Sequence, residues 1–217
     1  GSSAARLIIS PAGPLLFNGS LATTDLTMEI QGPRSLSLVY GFAFPSLVIS
    51  RGSVTVSSPF VQVQNSFGLA PVVIQQGGAL GFSGTSSTDQ FQSAAIDVSG
   101  LLSITQGSVS ASSVTVQNFA AVSVAAGGAS LNVNSGTFQT QGSFSLVQIG
   151  IGSTTNNFVI KARNVVLNGG ELNIFTSASL VWTSQTIWLI SASSSGSGNF
   201  TQLTGYPRDG AIYQIVF

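Results

Sequence analysis

The chain contains neither cysteine nor histidine among its 217 residues. Without cysteine it can form no disulfide bond and no thiolate metal site. Without histidine it lacks the commonest metal ligand and the usual acid–base group near neutral pH, so a serine nucleophile would have no conventional base. We therefore predict a protein that is not an enzyme and that carries no cofactor and no metal.

Charge is also scarce. Charged residues make up 6% of the chain and the formal net charge is zero, whereas an ordinary soluble domain has roughly 25%. Because so few residues are charged, electrostatic repulsion gives the protein only weak protection against self-association. The scattered lysine and arginine residues form no basic patch that would hold nucleic acid. The longest apolar runs fall short of the ~18 residues of a membrane-spanning helix. We expect no nucleic-acid partner and no membrane span.

What the chain has in abundance is a repeated pattern of alternating apolar and small polar residues interrupted by a glycine bend. The clearest copy is residues 122–134, and others are 72–80 and 165–172, with looser copies at 47–54 and 104–109. Alternation with a period of two indicates strands with one buried face, and glycine admits backbone angles that side chains disfavour. The pattern therefore predicts an all-β protein.

The bends recur at intervals of roughly 20 to 30 residues, which is the length of one rung of a parallel β-helix. We predict that residues 1–217 form a single right-handed parallel β-helix, or β-solenoid, of seven to nine rungs, with 1–14 as an N-terminal arm. A β-sandwich or jelly roll is the alternative fold, in which the repeats would pair as hairpins. Residues 81–92 and the Ser/Gly tract 191–198 are expected to be loops that leave the coil.

The C-terminal quarter carries a recognisable series of steps. A strand at 184–190 is followed by the Ser/Gly tract, a Gly-x-Phe-x-x-Leu step at 198–203, a proline turn at Pro207 and a final Tyr-x-Ile-x-Phe strand at 213–217. The series resembles the closing segment of extracellular β-helices of the autotransporter passenger and adhesin type. The resemblance implies that 199–217 closes the coil and that the protein is extracellular or on the cell surface. It implies no catalytic residue.

Both ends of the chain carry apolar, uncharged, β-prone runs. Open solenoid ends present unpaired backbone groups that recruit further strands. We expect end-to-end assembly into a filament, sheath or surface layer through Leu7, Ile8, Ile9, Tyr213, Ile215 and Phe217. The predicted function is therefore that of a non-catalytic extracellular structural protein whose partners are copies of itself.

Two other functions stay open. A monomeric adhesin stalk or glycan-binding module would bind surface glycans through exposed aromatic residues such as Trp182 and Trp188.

Asn18 and Asn199 fit the N-glycosylation pattern, although such matches arise by chance in a chain rich in serine and threonine.

A carbohydrate-active β-helix enzyme is the other alternative, and it would need two carboxylates close together. The candidates are the pairs Asp89 with Asp97 and Asp25 with Glu29. Surface or turn positions are the more ordinary interpretation of these residues.

Overall fold

A computed structural model describes most of the chain. The described residues are 5–10, 12–13, 15–17, 26–32, 35–38, 42–44, 46–65, 68–151, 159–176 and 189–205. Within these ranges all regular structure is β-strand and no helix occurs. The all-β class that the alternating pattern predicts is confirmed.

Twenty strands follow one another along the described residues. They are β1 Ala5–Ile9, β2 Leu15–Phe17, β3 Leu26–Ile30, β4 Ser35–Leu38, β5 Phe42–Phe44, β6 Leu47–Ile49, β7 Gly52–Val56, β8 Phe60–Asn65, β9 Gly68–Leu69, β10 Val72–Ile74, β11 Gly78–Ser83, β12 Gln90–Val98, β13 Leu101–Val116, β14 Ala121–Val124, β15 Ala129–Gln141, β16 Leu146–Ile151, β17 Ile160–Asn168, β18 Glu171–Thr176, β19 Ile190–Asn199 and β20 Gln202–Gly205.

The strands pair in parallel with strands one turn earlier and one turn later. Thus β10 lies between β6 and β12, and β11 lies between β7 and β13. Among the described strands the only antiparallel pair is the small hairpin of β8 and β9. Parallel neighbours reached by a full turn of the chain are the mark of a solenoid. The β-solenoid is confirmed and the sandwich is excluded, while the right hand of the coil stays a prediction.

On the first of three faces, strands from nine turns stack within the described residues. One interior column of this face contains, from the first turn to the ninth, Ile9, Ile30, Ile49, Ile74, Val98, Val116, Thr140, Leu167 and Gly198. Its members recur at intervals close to the predicted rung length. Each apolar side chain in the middle of the column has no exposed surface or nearly none, and burying one such side chain contributes about 1.5–3 kcal/mol.

The second and third faces complete the core in the same way. The second-face column contains Leu36, Val54, Leu80, Leu102, Val122, Val147 and Leu172. The third-face column contains Val61, Phe91, Val109, Leu131 and Ile160. All of these side chains are buried, so one continuous apolar interior runs along the coil.

The two predicted loops are largely wrong. The tract 191–198 lies within β19, which pairs in parallel with β17, because a neighbouring strand supplies backbone partners whatever the side-chain propensity. In the segment 81–92, β11 continues to Ser83 and β12 begins at Gln90, so only residues 84–89 leave the coil. At the N-terminus, Ala5–Ile9 of the predicted arm forms β1 of the first turn.

Candidate functional site

A row of neutral polar side chains follows the corner at which the first face ends. It consists of Ser10, Gln31, Ser50, Gln75, Ser99, Gln117, Gln141, Asn168 and Asn199, one residue from each of the nine turns, and we call it the amide edge. Backbone hydrogen bonds fix its register, for example from Gln75 N to the carbonyl oxygen of Ile49 at 2.9 Å. None of the nine residues is buried, so the row is accessible from one end of the coil to the other.

A buried carboxylate fixes the N-terminal part of the amide edge. Glu29 is 3% exposed and accepts hydrogen bonds from Gln31 Nε2 and Ser50 Oγ, both at 2.5 Å. Arg6 forms an ion pair with the other carboxylate oxygen. Beside this network lies an open groove of about 440 Å³, lined by Ser10, Gln31, Gly32, Ser50 and Arg51. A buried carboxylate with these partners is satisfied and holds two groove side chains in place.

Two phenyl rings stand out from the same corner in the sixth and seventh turns. Phe119 and Phe144 are stacked with ring centroids 4.9 Å apart and planes within 5° of each other. They are 68% and 66% exposed. The ring separation matches the spacing of about 4.8 Å between neighbouring strands, so the stack runs along the axis of the coil. The pair is a large apolar feature on a polar edge.

The backbone at Phe119 is strained. Its φ is +65°, a left-handed value that is a genuine outlier for a bulky residue. At the same corner other turns place glycine in such a conformation, for instance Gly77, Gly142 and Gly169. Next to Phe119, the side-chain oxygen of Asn118 accepts a hydrogen bond from Phe144 N at 3.1 Å. Strain of this kind persists where the surrounding structure enforces it, and it concentrates at functional sites.

The predicted assembly residues are only partly described. Leu7, Ile8 and Ile9 lie in β1, where Ile8 is 50% exposed. Tyr213, Ile215, Phe217 and the glycosylation candidate Asn18 lie outside the described residues. The other glycosylation candidate, Asn199, is exposed at the end of β19.

The side chain of Asp89, one of the predicted enzymatic carboxylates, is hydrogen-bonded to residues of its own loop. It is 5% exposed, and its Oδ2 accepts hydrogen bonds from Thr85 N at 2.5 Å, Thr85 Oγ1 at 3.0 Å and Ser86 N at 3.0 Å. Burial acts to raise the pKa of Asp89, but the hydrogen bonds from Ser86 and Thr85 bring the pKa below its ordinary value. The arrangement is that of a carboxylate that closes the 84–89 loop.

The other candidates are placed elsewhere or not described. Asp97 lies on the first face and accepts a hydrogen bond from Gln117 Nε2 at 2.8 Å. Asp25, Trp182 and Trp188 lie outside the described residues. The amide edge and the Phe119–Phe144 pair were not predicted, because turns of unequal length hide their alignment in the sequence.

Metal-binding clusters and membrane-spanning helices are both absent from the part of the chain that the structure describes. No group of three or more acidic, histidine or cysteine side chains there is arranged to hold a metal ion. None of the described residues belongs to a helix long and apolar enough to cross a bilayer. Comparison with known proteins finds no matching family model, no matching curated protein and no matching solved structure, so function has to be inferred from the geometry of the chain itself.

Proposed function

We propose that this protein is a non-catalytic structural subunit that associates end to end with copies of itself into a filament, sheath or surface layer outside the cell. The observation that carries the proposal is the open edge of the first turn. Within the described residues β1 pairs only with β3, and β2 pairs only with β4. In the proposed filament the backbone N–H and C=O groups on the other side of β1 and β2 bond to strands of a second copy.

The opposite end of the described coil presents a similar edge. Among the described strands β19 pairs only with β17, and β20 only with β18. Because successive turns stack in parallel, the last described turn of one copy and the first described turn of the next have the same strand direction on the first and second faces. A head-to-tail contact of this kind does not close on itself, so it generates a filament.

Exposed apolar side chains at the two ends support the same contact. In the first turn Ile8 is 50% exposed, Leu15 41% and Leu16 64%, and in the last described turn Leu203 is 47% exposed. Apolar side chains gathered at an edge favour a partner that removes them from water. The near absence of charge removes the repulsion that would otherwise keep copies apart.

The non-catalytic and extracellular parts of the proposal rest on separate observations. Both buried carboxylates among the enzymatic candidates already have partners: Asp89 accepts hydrogen bonds from its own loop, and Glu29 accepts them from Gln31 and Ser50. The location outside the cell follows from the resemblance of 199–217 to the closing segment of extracellular β-helices. Immunogold labelling of intact source cells would test it.

A charge-pair experiment tests the assembly. Ile8 and Ser197 occupy the first and last described positions of one outward column on the first face. If a second copy continues the register, Ser197 of one copy lies beside Ile8 of the next. Within one copy the two positions are separated by eight strand spacings, or about 38 Å, so their direct interaction is screened at a Debye length of about 10 Å.

The double variant Ile8→Lys/Ser197→Lys places like charges at every junction and should remain monomeric at concentrations where the wild-type protein forms filaments. Its matched control, Ile8→Lys/Ser197→Glu, places opposite charges there and should assemble. Light scattering and negative-stain electron microscopy measure the difference. Wild-type protein that stays monomeric at high concentration, or two variants that assemble equally, would contradict the proposal.

A further inference from the structure

We infer that the amide edge contains a binding site for a neutral glycan, centred on Phe119 and Phe144. This inference goes beyond the proposed assembly, since the pair lies in the sixth and seventh of the nine described turns, away from the first and last of them. The site is made of two exposed, stacked rings on an otherwise polar edge. Its ligand would be a pyranose oligosaccharide without charged groups.

The far faces of the two rings are open along the axis. Each ring covers one face of the other, at 4.9 Å between centroids. The corners of the turns on either side are short and contain only Ser99-Gly100 and Asn168-Gly169-Gly170, so Asn168 is the largest side chain there and neither corner places an apolar residue against a ring. A pyranose ring has an apolar face of C–H groups, and stacking that face on a phenyl ring removes apolar surface of both from water.

The surroundings match a neutral, hydroxyl-rich ligand. The corners of the fifth to eighth turns, residues 99–100, 117–120, 141–145 and 168–170, contain no charged residue. Their amides include the exposed Gln141 and Asn168, whose side chains make no hydrogen bond within the described residues. An amide both donates and accepts, as a sugar hydroxyl does. An acidic glycan would find no cation at these corners.

The strained backbone is the second observation that points to a ligand. Glycine would fit the φ of +65° at Phe119 without cost, and related corners use glycine. The chain instead holds an aromatic residue there and leaves 68% of it in water. Neither the backbone conformation nor burial of the side chain favours phenylalanine at this position. Stacking of its ring on a ligand would favour it.

Binding is best measured on the monomeric Ile8→Lys/Ser197→Lys protein or, if that protein assembles, on the wild-type protein, so that the result does not depend on filament formation. Isothermal titration calorimetry would use cellohexaose, xylohexaose, mannohexaose and chitohexaose as neutral probes and hexagalacturonate as an acidic probe. We expect at least one neutral probe to bind and hexagalacturonate not to bind. The variants Phe119→Gly and Phe144→Ala should each weaken that binding at least tenfold.

The controls separate loss of the site from loss of the fold. Phe60 is 44% exposed on the third face, and Phe60→Ala should leave binding unchanged. Phe119→Gly also relieves strain, so its melting temperature should not fall with its affinity. The inference is overturned if no neutral probe binds, if only hexagalacturonate binds, or if Phe119→Gly/Phe144→Ala binds as tightly as the parent. Loss of self-association alone in that variant would also overturn it, because the pair would then be a contact between copies.

Discussion

The hydroxyl of Thr140 donates a 2.9 Å hydrogen bond to the carbonyl oxygen of Gly169, which lies in the next turn of the coil. Thr140 is fully buried and occupies an interior column otherwise filled by isoleucine, valine and leucine in its central turns. A buried hydroxyl is tolerated because it is bonded. The bond ties the corner of the eighth turn to the strand of the seventh.

We therefore expect Thr140→Val to lower the free energy of unfolding by about 1–2 kcal/mol, since the Gly169 carbonyl oxygen loses its partner. Thr55→Val is the control, because Thr55 is half-buried on the outer side of β7 and its hydroxyl makes no hydrogen bond within the described residues, so it should change stability by about 0.5 kcal/mol or less. Urea denaturation measures both. Equal effects of the two substitutions would mean that the buried bond does not stabilise the stack.

Alanine substitutions in the Gly77-Gly78 bend would compare the cost of a strained backbone conformation with the cost of a steric clash. Gly77 has φ +85° with nothing within 4 Å of an added Cβ, whereas a Cβ on Gly78 would lie 2.3 Å from the carbonyl oxygen of Ile49. Gly77→Ala should cost about 1 kcal/mol of backbone strain. Gly78→Ala should cost about 3 kcal/mol or more, because a backbone atom of the preceding turn cannot move aside easily. Thermal unfolding of both variants tests the order, and a more damaging Gly77→Ala would contradict the packing of these two turns.

Because of Asp89, the free energy of unfolding should depend on pH in the acid range. Its pKa in the folded state is below its ordinary value, with burial opposed by the hydrogen bonds from Ser86 and Thr85. The ionised Asp89 side chain therefore contributes its full stabilisation of the folded state above the pKa of about 4 that it has in the unfolded chain. This contribution is lost as the pH falls through the lower pKa that Asp89 has in the folded state.

Urea midpoints at pH 7 and near pH 3 should accordingly differ less for Asp89→Asn than for the wild-type protein. Thr85→Val removes one donor to the carboxylate and should give an intermediate difference. An unchanged acid dependence in Asp89→Asn would assign that dependence to other groups.

Phe119→Gly should be nearly neutral or stabilising in the absence of any ligand. Relief of the left-handed backbone gains about 1–2 kcal/mol, while loss of the stack with Phe144 costs about 0.5–1.5 kcal/mol. Phe119→Ala loses the stack and keeps the strain, so it should be the less stable variant. A Phe119→Gly protein clearly less stable than Phe119→Ala would show that the φ of +65° is not strained.

The fold follows from short-range signals because each turn repeats the same local rule. Alternation around bends such as Gly77 and Gly127 predicts strands, and the recurrence of the bends predicts stacked turns. The rule fails where pairing overrides propensity, as in β19, whose Ser/Gly sequence becomes strand beside β17.

The candidate site is hidden for a different reason. Turns of unequal length place Gln75, Ser99 and Gln117 on one edge, and only the pairing register reveals this. The left-handed φ of Phe119 carries no sequence signal either, because Asn118-Phe119 does not contain the glycine that such a turn usually has. The buried state of Asp89 likewise depends on donors in a loop whose conformation the sequence pattern does not specify.

The most direct test of end-to-end assembly is cryo-electron microscopy of the concentrated protein. If the last turn of each copy stacks on the first turn of the next, the axial repeat is a whole number of strand spacings of about 4.8 Å and at least the roughly 43 Å of the nine described turns, with strand spacing continuous through every junction. We predict single filaments with that repeat. Monomers, closed dimers or ribbons joined side by side would contradict assembly through the open ends.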